Sequence, residues 1–155
     1  MDDAYRTLRR RTTLAGTVFL LVVAAGLVAS IVELGLHLSL VIGIVTTIGA
    51  ALAFASVRRT EPITVAGRRL DPFQRAGVGY VLLAASVGAG FAPHLSADWN
   101  GFTVAIWILV FASFGYQELT GPHEEPDPSM RQVAAILTLL LVFIIGLPVA
   151  VIFLG

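Results

Sequence analysis

Apolar residues in this chain come in blocks near 20 long, separated by short polar stretches. A helix of about 20 residues, rising 1.5 Å each, crosses roughly 30 Å of hydrocarbon. Five spans are predicted: Thr12 to Leu36, Leu38 to Val57, Phe73 to Leu95, Phe102 to Gln117 and Gln132 to Leu154. Polar segments 58–72 and 118–131 join them on one side, with short turns on the other. The pattern predicts an all-α membrane protein, a five-span transmembrane helical bundle forming a single domain over residues 1–155.

Local signals set the breaks. Thr12 to Val57 as one helix would be about 69 Å long, far more than one crossing, so the chain must turn. Gly35 is the natural place, with Glu33 and His37 marking the outer water interface. Ile63 to Leu70 reads as a short hairpin turning at Ala66-Gly67. Asp71-Pro72-Phe73-Gln74 gives Asp at N-cap, Pro at N1 and Gln at N3, a variant of the capping box that opens the third span. Pro93 limits that span, and Pro148 should kink the fifth. Asp127-Pro128-Ser129-Met130-Arg131 repeats the Asp-Pro-x-x-Arg pattern of Asp71 to Arg75 before the last span. Trp99 and Tyr116 near the ends of the fourth span suit the headgroup zone.

Charge fixes an expected orientation. Five of the ten arginines lie between Arg58 and Arg75, and Arg6, Arg9, Arg10 and Arg11 precede the first span. Arginines in short loops stay cytoplasmic, so the N-terminus is expected inside and the C-terminus outside, with all ten arginines on inner segments. The first apolar run, with Arg10-Arg11 before it and the small residues Val28-Ala29-Ser30 within it, could also be read as a signal peptide. It exceeds the usual ~7–15 residues of a signal core, and a second span follows directly. It reads as a retained span of a multi-pass protein in the cytoplasmic (plasma) membrane.

Composition agrees: 57% hydrophobic, a mean hydropathy of +0.88 and only 13% charged, against about a quarter charged in soluble domains. Zero net charge gives no basic field for nucleic acid. The lack of cysteine removes disulfides, thiol catalysis and thiolate metal sites. The lack of lysine fits a GC-rich prokaryotic genome as well as any physical need. No phosphate-binding loop, nucleophile elbow or His-Glu-x-x-His is present, and the loops are too short for a soluble catalytic domain. An enzyme is not expected.

Two features bear on packing and chemistry. Gly43, Thr47, Ala51 and Ala55, and Ala84, Gly88 and Ala92 with Ser86 and Gly90, form small-residue stripes that predict a tight centre at spans two and three. Glu33 and His37 are four apart, as are His94 and Asp98, about one helical turn in each case. A shift of 61 residues superposes the two pairs, and also pairs Ala15-Gly16 with Ala76-Gly77 and Phe19 with Tyr80, as parallel hairpin repeats would. If the four converged at the outer mouth, two imidazoles and two carboxylates would suit a divalent metal (Zn²⁺, Mn²⁺ or Fe²⁺) or pass protons. The competing account is that all four occupy wet headgroup positions, and it is favoured because only intramembrane ionisable residues are functional by default. The run His123-Glu124-Glu125-x-Asp127, broken by prolines, reads as a solvated acidic loop without a metal role.

The expected function is that of a non-enzymatic bundle acting through self-association (a homo-oligomer) or a membrane partner subunit, with the lipid bilayer as its medium and no resident cofactor. The alternative is a small transporter or metal-handling protein using Glu33, His37, His94 and Asp98.

Overall fold

The computed structural model describes residues 3–94 and 99–121, with side chains over 6–93 and 100–121. The chain divides into two units, Met1–His123 and Glu124–Gly155, and the described residues lie in the first. The expected fifth span, the acidic loop beyond Gly121 and the second Asp-Pro-x-x-Arg motif fall outside them. Four α-helices and one β-hairpin are described: α1 (Asp3–Leu34), α2 (Leu38–Ser56), β1 (Ile63–Val65), β2 (Arg68–Leu70), α3 (Pro72–Gly90) and α4 (Trp99–Thr120). A single 3-10 turn, Ala92–His94, follows α3.

The turns fall where the sequence placed them. α1 stops at Leu34, and Gly35 takes a left-handed φ of 73°, the conformation that ends helices and that glycine adopts without strain. The hairpin pairs Ile63 with Leu70 and Val65 with Arg68. Its two central residues, Ala66 and Gly67, both have positive φ, as the twist of a two-residue hairpin requires. The Asp71 carboxylate accepts from Gln74 N at 2.8 Å, while Gln74 Oε1 accepts from Asp71 N at 3.1 Å. This is the expected reciprocal cap.

Three helices depart from the expected spans by three or more residues at one or both ends. α1 starts at Asp3, not Thr12, because arginine is a good helix former and nothing between Asp3 and Arg11 breaks a helix. α4 likewise exceeds 102–117 at both ends, since hydropathy locates the hydrocarbon and not the helix ends. α3 ends at Gly90, not Leu95: Pro93 disfavours helical geometry at Ala92, and the chain tightens into the 3-10 turn.

Among the described residues, three helices are long and apolar enough to cross a membrane, over Arg6–Leu34, Leu38–Ser56 and Asn100–Thr120. The fourth helix, α3, is too polar by that measure, although its 19 residues would reach about 28 Å. Its packing explains why. α3 lies against α1, α2 and α4, and only Val81 and Ala85 along it are exposed. A helix sheathed by protein need not be soluble in hydrocarbon, so glycine, alanine, serine and even arginine are tolerated there.

Close backbone approach holds α3 in place. A Cβ on Gly43 of α2 would come 2.8 Å from the Gly90 Cα, and one on Gly77 would come 3.0 Å from the Gly115 carbonyl of α4. The expected tight seam of spans two and three is therefore present, and a second seam joins α3 to α4. The α2 stripe is not straight, however. Gly43 and Ala50 are buried while Ala55 is exposed, because steps of four advance 40° past a full turn and walk off the face. Phe54 takes that level of the core instead.

Aromatic rings fill the space between the helices. Phe19 of α1 meets Phe111 of α4 edge-on at 5.3 Å, and Phe54 of α2 meets Tyr80 of α3 at 5.1 Å. Such pairs contribute about 0.5–1.5 kcal/mol beyond their buried area.

The 61-residue shift has a structural counterpart. α2 begins at Leu38 and α4 at Trp99, the same offset. Phe19 and its equivalent Tyr80 are in ring contact at 6.5 Å. Gly16 packs on Phe54, and the shifted pair, Gly77 and Gly115, also packs together. One inter-helix contact of α1–α2 thus recurs at the same shift in α3–α4.

Candidate functional site

The bundle offers three polar regions: one at each end and one within. At the end where α1 finishes and α2 begins, Glu33 and His37 do not share a helical face. The left-handed Gly35 separates them, and His37 is the N-cap residue of α2 with extended backbone. Glu33 is exposed. His94 closes the 3-10 turn, its side chain lying outside the described set, and Asp98 lies outside it altogether. Among the described residues no group of three or more His, Asp or Glu side chains could hold a metal ion.

His37 nevertheless has a defined state. Its Nδ1 lies 3.2 Å from the Gly35 carbonyl oxygen. A carbonyl can only accept, so Nδ1 carries the proton. In the neutral ring Nε2 then keeps its lone pair, and that atom is buried with no hydrogen-bond partner among the described residues. A backbone carbonyl fixing one ring nitrogen is also how metal-ligating histidines are oriented.

The interior polar group lies midway along α2. Ser86 of α3 is fully buried. Its Oγ is 2.9 Å from the Gly43 carbonyl oxygen and 2.5 Å from Thr47 Oγ1, which is itself 2.8 Å from the same carbonyl. Two hydroxyls supply two protons for these three contacts. One hydroxyl therefore donates to Gly43 while the other donates either to Gly43 or to its neighbour. The group is closed on itself. It ties α2 to α3 and offers no free donor to a permeating solute.

At the opposite end, Arg75 is 3% exposed and donates to four backbone carbonyls. Nη1 donates to the Ser56 carbonyl at 2.6 Å; Nη2 donates to those of Arg59 at 2.7 Å and Glu61 at 3.1 Å; Nε donates to that of Asp71 at 3.3 Å. The Ser56 and Arg59 carbonyls lie at and just past the C-terminus of α2, where the helix dipole is negative, and the Ser56 carbonyl also accepts from Arg59 N at 3.0 Å. Arg75 therefore caps α2 from the first turn of α3. The sequence carried a signal for this: an arginine inside a predicted span must be satisfied by protein. Read only as helix-start chemistry, Asp71-Pro72-x-x-Arg75 concealed it.

No curated protein and no solved structure matches the chain. Residues 7–130, which include all four described helices except the first turn of α1, match a family of unknown function, and the chain belongs to that family, DUF7994.

Proposed function

We propose that this protein is a non-enzymatic, multi-pass component of the plasma membrane that acts by associating with itself or with a membrane partner. The observation that carries the reading is the contrast between interior and periphery. Inside, the mid-depth hydroxyls of Thr47 and Ser86 are consumed by each other and by the Gly43 carbonyl. Outside, α1 exposes Leu14, Val18, Leu21, Val28 and Val32, a continuous apolar face. Such a closed bundle interacts through its surface. The five-span arrangement, with the arginine-rich end cytoplasmic and Gln132 to Leu154 as the last span, belongs to the same proposal.

The test is the number of subunits per nanodisc, counted by single-molecule photobleaching over a range of dilutions. A defined oligomer, or a stoichiometric complex with one membrane protein, supports the reading. Monomers at every dilution and no such complex would overturn it.

One observation favours a second reading, the handling of a divalent metal at the outer end by His37 with Glu33, His94 and Asp98. It is the buried, unpartnered Nε2 of His37. Thermal unfolding with and without Zn²⁺, Mn²⁺ and Fe²⁺ tests it. A ligand bound only by the folded state stabilises by about 2.7 kcal/mol at a hundred times its dissociation constant. A metal-specific rise that His37→Gln abolishes would support the second reading, and no rise would remove it.

A further inference from the structure

All nine arginines among the described residues lie at one end of the bundle, where α1 and α3 begin and α2 and α4 finish. The described carboxylates at that end are Glu61, Asp71 and Glu118, and Asp71 is occupied by its cap. Within this excess of positive charge among the described residues, three observations bear on the same end. Arg58, Arg59, Thr60 and Glu61 line an open cavity of about 430 Å³. The turn that carries them is held from beneath, since Arg75 takes the carbonyls of Arg59 and Glu61. Arg9, on the same face of α1 as the buried Thr12 and Gly16, has its Nη1 buried without an acceptor among the described residues.

The register of α1 against α2 brings these together. The two helices are antiparallel, with Gly16 packed on Phe54. Counting outward from that contact reaches the C-terminus of α2 near Thr12, so Arg9, about one turn further along α1, lies at the end of the bundle that carries Arg58 to Glu61. We propose that the phosphate of an anionic phospholipid binds here, held by Arg9, Arg58 and Arg59. Their guanidinium groups outweigh the single carboxylate of Glu61 and supply the donors a phosphate accepts. A lipid fits better than a free anion because the site sits at the rim of an apolar bundle: the outer faces of α1 and α2 expose Leu14 and Leu52, at 57% and 68%, to the bilayer in which acyl chains would run.

The inference rests on the membrane-spanning reading, but not on self-association or orientation. The test is native mass spectrometry of the protein in non-ionic detergent with equal amounts of phosphatidylglycerol and phosphatidylcholine. The expected result is selective retention of phosphatidylglycerol. The Arg9→Gln/Arg58→Gln/Arg59→Gln variant should lower its affinity by roughly a hundredfold, as the loss of three charge-assisted contacts to one phosphate would. The charge-matched Arg10→Gln/Arg68→Gln/Arg69→Gln variant should retain most of it. Equal loss in both variants would mean diffuse attraction and overturn the site. Stabilisation by millimolar inorganic phosphate without lipid selectivity would overturn the choice of a lipid, and no effect of either would overturn the whole proposal. Unfolding midpoints without lipid identify a variant that merely misfolds; Gln would then be replaced by Lys, which keeps charge but loses the planar fork and should bind between wild type and the Gln variant. A protein that still needs detergent to leave the membrane yet retains no lipid would sink the site alone.

Discussion

Replacing Arg75 by methionine isolates the cap that joins α2 to α3. Methionine keeps much of the side-chain length, so the space beside Ser56 stays filled while every donor is lost. Three bonds to carbonyls outside α3 disappear, at 2.6, 2.7 and 3.1 Å. The 3.3 Å bond to Asp71 is long and within its own helix turn, and it is left out of the sum. A hydrogen bond involving a charged group contributes about 1.5–3 kcal/mol net, so three would suggest at least 4–5 kcal/mol. Two effects lower that figure. The site lies at the end of the bundle, where water can reach some of the freed carbonyls, and the mutant no longer bears the cost of burying a charge. The expected loss is about 2–4 kcal/mol, measured as the shift in reversible unfolding by SDS in mixed micelles. Arg75→Lys should lie between, because one ammonium cannot span three carbonyls. A loss below about 0.5 kcal/mol for Arg75→Met, the range of ordinary surface substitutions, would refute the argument that this arginine caps α2.

Other consequences follow from the packing. Gly77→Val would drive a side chain into the Gly115 carbonyl and Leu119 and should cost about 1–3 kcal/mol by overpacking. Gly88→Ala, whose nearest neighbour is Ile108 Cδ1 at 3.6 Å, should be neutral or gain up to about 1 kcal/mol in helix propensity; both are read in the same SDS titration. Ser86→Ala should cost little, about 0.6 kcal/mol and under 1.7 kcal/mol, since Thr47 can still donate to Gly43. Asp71→Ala removes the N-cap acceptor of α3 and should cost about 0.5–2 kcal/mol, visible as a lower thermal midpoint.

Much of this fold was legible because its signals are local. Gly35, Ala66-Gly67 and the Asp71–Gln74 cap each act within a few residues, and each was found where the sequence put it. The helix ends were less legible, because Arg6 to Arg11 and Gln117 to Thr120 are polar yet helical. The role of α3 was hidden for a different reason. Hydropathy says nothing of packing against protein, and α3, low in hydropathy, is enclosed by α1, α2 and α4. Only its small residues hinted at that. The polar contacts were least legible. Arg75 reaches Ser56, 19 residues away, and Ser86 reaches Gly43, 43 residues away, and no local pattern encodes those pairings. The Glu33 and His37 spacing predicted a shared face that the left-handed Gly35 breaks, an effect that the glycine itself foretold.

The central claim is a bundle crossing the membrane with its arginine-rich end in the cytoplasm. The natural absence of cysteine allows it to be tested directly, with single cysteines at exposed turns of the two ends, Leu36→Cys and Ala66→Cys. A membrane-impermeant maleimide applied to intact cells should label the cysteine at 36 and reach the one at 66 only after permeabilisation. Labelling at 66 but not 36 in intact cells would reverse the orientation, and equal labelling of both would contradict a bundle that separates its two ends across a bilayer.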